Sequence, residues 1–211
     1  MDLFLLCLGL ELGRDLSYTS PLWMSSRYAA ANVDPIRQRS QFSCMSASMS
    51  MALGAHGVKV TEDTVNEVMG ASPLRGASWE DALACAQYFG MRATLVSPST
   101  LGQLRSWTDT GTPIMIAWNP EGRPWSHASL VFDVTDDLVF VADPNIPDPN
   151  ATVRRVSHDE FYKKWYETHG DYLVRRPAMA IEREITAEGR AVIASSSVLS
   201  ITDYKRLLRR L

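Results

Sequence analysis

The sequence is short of cysteine, of excess charge and of long apolar runs, and each shortage narrows what the chain can be. Its three cysteines, Cys7, Cys44 and Cys85, are an odd number without C-x-x-C spacing, which excludes a disulfide framework and suggests no zinc site. No metal or other cofactor is expected, and a cytoplasmic, reducing compartment is the default. A net charge of -3 argues against a nucleic-acid partner, because phosphate contacts need clustered Lys and Arg. The one basic cluster, Lys205, Arg206, Arg209 and Arg210, reads as a solvated helix face. The opening apolar run from Leu3 to Leu10 falls well short of the roughly 20 residues that span a bilayer. Asp2 precedes that run and no small-residue cleavage site follows it, so neither membrane insertion nor a signal peptide is expected. Internal repeats and low-complexity tracts are also missing.

What is present is ordinary for a globular protein. In 211 residues, 45% are hydrophobic and 21% charged, enough for one domain with a sizeable core. Residues 1–36 read as an N-terminal extension, 37–183 as the domain and 184–211 as a C-terminal helical extension. Small residues from Cys44 to Leu53, stopped by Gly54 and Gly57, read as a buried helix that begins at Cys44. Thr61 caps a second helix through Met69, and Ser78 with Asp81 forms an acidic capping box for a third that ends at Gly90. The period then changes. Met91–Val96 reads as a strand, Ser99 as the start of a short helix through Trp107, and Pro113–Trp118 as a buried strand. Ala128–Val134 and Leu138–Ala142 flank Thr135, Asp136 and Asp137, the spacing of a hairpin. Ser157 caps a helix containing Phe161, Trp165 and Tyr166, then Tyr172–Ile181 reads as one strand and Thr202–Leu211 as a last helix. Helices first and strands after predict an α+β fold with an antiparallel sheet.

Three of these residues can do chemistry together. A thiol becomes a nucleophile when it ionises, and a helix start favours ionisation through its backbone N–H groups and positive dipole end. Cys44 has that position. His127 opens an apolar strand after Gly122, Pro124 and Ser126, where a loop presents its ring at a sheet end as a candidate base. Asp143 follows the paired strand, so the hairpin returns a carboxylate to the same end to orient that base. Asp133, Asp136 and Asp137 are rivals for the orienting role, and Gln38 and Gln41 both lie just ahead of Cys44. Trp79 and Trp125 are candidate cleft residues, whereas Trp118 reads as core. His56, His158 and His169 read as solvent-facing or capping residues.

Gln38 with five residues before a helix-starting Cys44, a distant His127 ahead of an apolar strand, and Asp143-Pro144 after the next strand together resemble the C39-like branch of the papain-like cysteine peptidases. Gly76 to Trp79, Pro113-Ile114, and Phe161 with Trp165 add to a resemblance that covers about residues 36–167. It implies a papain-like fold, a Cys44-His127-Asp143 triad, and an oxyanion hole made by the Gln38 side chain and the Cys44 backbone N–H. The implied activity is hydrolysis of a peptide or other amide bond in a peptide or protein substrate. Two positions depart from the family pattern, Met45 and Asp133, where relatives often carry glycine. The double-glycine leader substrate of the transporter members is not carried over, as the chain shows neither membrane spans nor a P-loop. The alternative is a non-catalytic papain-like module that serves a larger assembly and has a protein partner.

Overall fold

The computed structural model describes residues 32–123, 125–169 and 172–183. The opening apolar run, Cys7 and the expected C-terminal helix with its basic cluster lie outside the described residues. Among the described residues three helices come first: α1 (Cys44–Ala55), α2 (Glu62–Met69) and α3 (Trp79–Tyr88). They start where the caps in the sequence put them. The Thr61 hydroxyl accepts from the Thr64 N–H, and the Ser78–Asp81 capping box closes in both directions, satisfying N–H groups a helix start leaves without partners.

The rest of the chain is mostly strand: β1 (Arg92–Val96), α4 (Leu101–Thr108), β2 (Ile114–Trp118), β3 (His127–Val134), β4 (Leu138–Ala142), β5 (Val153–Ser157), α5 (His158–Lys164), β6 (Tyr166–His169), β7 (Tyr172–Arg175) and β8 (Ala178–Glu182). Six strands form one antiparallel sheet in the order β1-β8-β2-β3-β4-β5, and β6 and β7 pair as a separate hairpin. The last strand of the sheet is therefore an inner one, placed between β1 and β2. An α+β fold with helices leading an antiparallel sheet is what the structure shows.

Apolar residues continue through β2 and β3 without polar alternation because both faces of the sheet are covered. Met115, Leu130, Phe132, Phe140, Ala142 and Met179 pack with α1, α2 and α3 in one core. Ile114, Ile116, Trp118, Val131, Val139 and Val141 face a second core closed by Leu104 of α4, Phe161 of α5 and Trp165. Between Val131 and Asp133 the β3–β4 register shifts. The extra residue of this bulge reverses the alternation, so Val134 joins Val131 in the second core rather than Phe132 in the first. Phe132 is the unpaired residue of the bulge, and Asp133, one of the departures from the family pattern, pairs with Phe140 just past it.

Several expected boundaries move. Thr100, not Ser99, caps α4, and Ser99 is fully buried. The helix after Ser157 stops before Trp165, and Tyr166 begins β6. The single strand expected over 172–181 is broken at Arg176, whose φ of 51° is left-handed, and at Pro177, which cannot donate to a ladder. The strand β5 was not expected, since Arg154 and Arg155 interrupt a short apolar pattern. Val33, on the far side of the expected domain boundary, is 4% exposed within the first core.

Phe161 is fully buried between Trp118 and Trp165, with ring centroids 5.8 and 4.9 Å away. Removing it leaves a void in the second core, so Phe161→Ala is expected to cost about 3–5 kcal/mol of stability. Urea unfolding monitored by circular dichroism measures that loss.

Candidate active site

Three elements converge at one end of the sheet. Trp118 at the end of β2 pairs with His127 at the start of β3, and Ala142 at the end of β4 pairs with Leu130, so His127 and the following Asp143 lie at the same edge. The first residue of α1, Cys44, meets them there, and the groups that act on its sulfur are the His127 ring and the backbone N–H groups of Ala128 and Met45. The segment leading into α1 is tied down on both sides. Gln38 N donates to Pro144 O at 2.9 Å, Arg39 N to the buried Glu62 carboxylate at 2.9 Å, and the Arg37 guanidinium to the carbonyls of Ile146, Asp148 and Ala151. The same loop thus fixes both the start of the cysteine helix and the loop that carries the aspartate.

Ser43 occupies the N-cap of α1 but makes no side-chain cap. Its hydroxyl donates to Ser40 O at 3.0 Å and accepts from Ser40 N at 3.1 Å. First-turn N–H groups of α1 are consequently left to face the sulfur and the space beside it.

His127 Nε2 is 2.6 Å from Asp143 Oδ1, which leaves Nδ1 as the ring nitrogen for the sulfur. The Asp143 carboxylate is buried and held on all sides: Oδ1 also accepts from Asn145 N at 2.9 Å, and Oδ2 accepts from Arg154 Nε at 2.5 Å. A second arm of Arg154 pairs with Glu121, and the guanidinium lies 5.7 Å from the centre of the Trp118 ring. These partners set the charges. Burial pushes the Asp143 carboxyl up, but the His127 charge and hydrogen bond, with Arg154, outweigh it and hold it at about 2. Burial likewise pushes His127 down, and Asp143 reverses that, raising the imidazole to about 10. For Cys44, burial raises the thiol, while His127 and the two backbone N–H groups lower it by more, a net shift toward thiolate.

The sulfur and the ring open onto a cleft of about 920 Å³. Exposed Leu74 and Trp125 stand at its rim, and Met45, 5% exposed, lies beside the sulfur in its wall. Gly76 also lines it, at a φ of 64° that favours glycine.

The structure thus brings Cys44, His127 and Asp143 together and places Trp125 in the cleft. It does not place Trp79 there: its indole N–H donates to Glu167 at 2.7 Å, and Glu167, not Trp79, lines the cleft. Gln38 also stands back from the wall, where Gln41 is found instead. Its Nε2 donates to Ser40 O at 2.7 Å, and its Oε1 is buried with no partner among the described residues. Of the rival aspartates, Asp136 pairs with Arg105 at 2.5 Å on the surface. His56 is the C-cap of α1 and His158 the first residue of α5, both partly exposed, with their rings bonded to Ile181 O at 2.8 Å and Thr135 O at 3.1 Å. Glu121, Asn145 and Arg154 were missed; only the V-R-R-V pattern of β5 carried any trace of Arg154.

The sequence model of the Peptidase_C39 like family matches residues 30–173. The chain belongs to this family. Solved C39 domains share its fold. A double glycine motif protease from an AMS/PCAT transporter, solved with a leader peptide, is 18% identical, with a TM-score of 0.55 over 72% of this chain and 92% of its own. The peptidase domain of Streptococcus ComA, a bi-functional ABC transporter of a quorum-sensing pathway, is 15% identical, with a TM-score of 0.57 over 71% and 98%. A C39-like peptidase from Bacillus anthracis is 14% identical, with a TM-score of 0.54 over 74% and 97%. No curated protein matches the chain. Among the described residues, no helix is long and apolar enough to cross a membrane, and no cluster of His, Cys, Asp or Glu has the arrangement of a metal site.

The signs of the shifts give a pH dependence. Asp143, held below its ordinary 3.8 at about 2, contributes stability that is present above pH 3.8 and lost as the pH falls through 2, on the order of 2 kcal/mol. His127, raised from 6.5 to about 10, contributes stability present below pH 6.5 and lost as the pH rises through 10. Asp143→Asn is expected to flatten the acid part of the curve and to cost roughly 3–5 kcal/mol at neutral pH. Unfolding free energies measured against pH for both proteins test this.

Proposed function

We propose that this chain is a cysteine hydrolase that cleaves a peptide or other amide bond through an acyl-enzyme. The observation that carries the reading is the meeting of Cys44 and His127 at the wall of an open cleft, with the His127 ring hydrogen-bonded to the buried Asp143 behind it. A lowered thiol beside a raised imidazole is a thiolate-imidazolium pair ready to act at neutral pH.

In this mechanism the Cys44 thiolate attacks the carbonyl carbon, and the tetrahedral oxyanion takes the Cys44 backbone N–H at the uncapped helix start. His127 gives its proton to the leaving amine, which departs and leaves a thioester on Cys44. It then takes a proton from water as the water attacks the thioester, and keeps that proton as the Cys44 thiolate and the acid product separate, which restores the ion pair. Asp143 keeps the ring oriented and stabilises its charge. Gln38 is the second oxyanion donor in this proposal, its amide turning from Ser40 O toward the cleft when substrate binds. A peptide substrate is supported by the leader peptide bound to the transporter protease and by the apolar rim of Leu74 and Trp125. A reducing compartment suits a thiol of this reactivity.

A second reading, a non-catalytic module acting as a binding part of an assembly, draws on the withdrawal of Gln38 from the cleft and on Met45 beside the sulfur. Alkylation separates the two. Near pH 7 iodoacetamide is expected to label Cys44 at least about tenfold faster than Cys7 or Cys85, as a thiolate does relative to ordinary thiols, and Cys44→Ala to abolish cleavage of a peptide library. Slow, equal labelling of all three would favour the module. For the oxyanion role, Gln38→Ala is expected to lower kcat/KM by roughly 10²-fold, with Gln41→Ala changing it little.

A further inference from the structure

Behind the cysteine and histidine the structure holds a buried cation that no step of the proposed mechanism uses. Arg154 lies on the edge strand β5, opposite Val141, with its side chain only 7% exposed. Burying a guanidinium carries a desolvation cost of several kcal/mol unless its donors are satisfied. Here its Nε donates to Asp143 Oδ2 at 2.5 Å and its Nη2 pairs with Glu121 from the β2–β3 loop. The charges alternate along the line: Cys44 thiolate, His127 imidazolium, Asp143, Arg154, Glu121.

We propose that Arg154 is a positioning residue for the candidate triad: by occupying Oδ2 from one arm while Glu121 holds the other, it keeps the Asp143 carboxylate aimed through Oδ1 at His127 Nε2. A carboxylate at the end of a single-bonded stem can rotate, and its plane can then turn both oxygens away from the ring. With Oδ2 bound and Asn145 N–H on Oδ1, one orientation remains. Lysine cannot substitute, because a single ammonium lacks the planar fork that reaches two carboxylates at fixed angles. The groups that face Asp143 are His127 from β3, Arg154 from β5 and the Asn145 N–H of its own loop, with Cys44 of α1 beyond the ring and Glu121 beyond the guanidinium. Among the described residues Arg154 is the one fixed positive charge in direct contact with the carboxylate, and it helps hold Asp143 low.

This inference rests on the Cys44–His127 pairing, and the test needs no substrate. The rate of Cys44 carboxymethylation by iodoacetamide is measured from pH 4 to 9 in the full chain, with melting temperatures in parallel. Without Arg154, Asp143 takes up a proton at higher pH, and the imidazolium and thiolate lose their support on the acid side. Arg154→Gln is therefore expected to lower the labelling rate at pH 5 at least tenfold while changing it less than threefold at pH 8. Arg154→Lys, which keeps the charge and the fold but not the fork, is expected to lose at least threefold at pH 5. A wild-type profile in either folded variant overturns the proposal, as does an equal loss at every pH, which is what damaged packing alone would give. His127→Ala, run alongside, separates the two levels. If it labels like wild type, the Cys44–His127 pairing fails and the role of Arg154 falls with it; if it loses fast labelling while Arg154→Gln does not change, only the role of Arg154 fails.

Discussion

A carboxylate shut away from bulk solvent organises one end of this molecule. Asp143 is 1% exposed, and an ionised group so placed is tolerable only when its partners are fixed by the fold. Each partner comes from a different part of the chain: His127 from the start of β3, Arg154 from the edge strand, the Asn145 N–H from its own loop. The β3–β4 hairpin, the β5 edge and the loop tied to Gln38 and Arg37 must all be in register for that site to close. The imidazole is raised because the carboxylate stays ionised, and the thiol is lowered because the imidazole stays charged. The state of the Cys44 thiol therefore depends on a carboxylate that it does not touch.

The three-layer packing serves that end of the sheet. The first core fixes α1 against β3 through Met49, Leu130 and Phe132, so the helix start cannot drift from the strand start that carries His127. The second core, through Trp118, Phe161 and Trp165, backs the strands whose ends hold the histidine and aspartate. Trp118 takes part in both tasks: its ring lies under the Arg154 guanidinium, and its N–H is satisfied by Ser129 at 3.0 Å.

Local rules made much of this legible in the sequence. Helix starts at Thr61 and Ser78 follow from side chains that reach the backbone three residues on, and the hairpin follows from two apolar runs with a polar turn between them. The order of Cys44, His127 and Asp143 was enough to bring the three together. What escaped depends on contacts between distant residues. The strand containing Arg154 and Arg155 looks polar because the ions that neutralise Arg154 come from Glu121 and Asp143, far along the chain. Trp79 lies at the right point of its helix to border the cleft, but spacing does not say which way an indole turns, and it turns to Glu167. The amide of Gln38 obeys a neighbour two residues away, Ser40, and the bulge that reverses the β3 alternation at Phe132 carries no glycine to announce it.

The central claim is that His127 is a charged imidazolium at neutral pH, held so by Asp143 on one side and Cys44 on the other. Nuclear magnetic resonance of the isotopically labelled His127 ring reads this directly. The account predicts a ring that carries both protons at pH 8 and loses one only toward pH 10, with its titration moving back toward 6.5 in Asp143→Asn. A ring already neutral at pH 8 in the unaltered protein would contradict it.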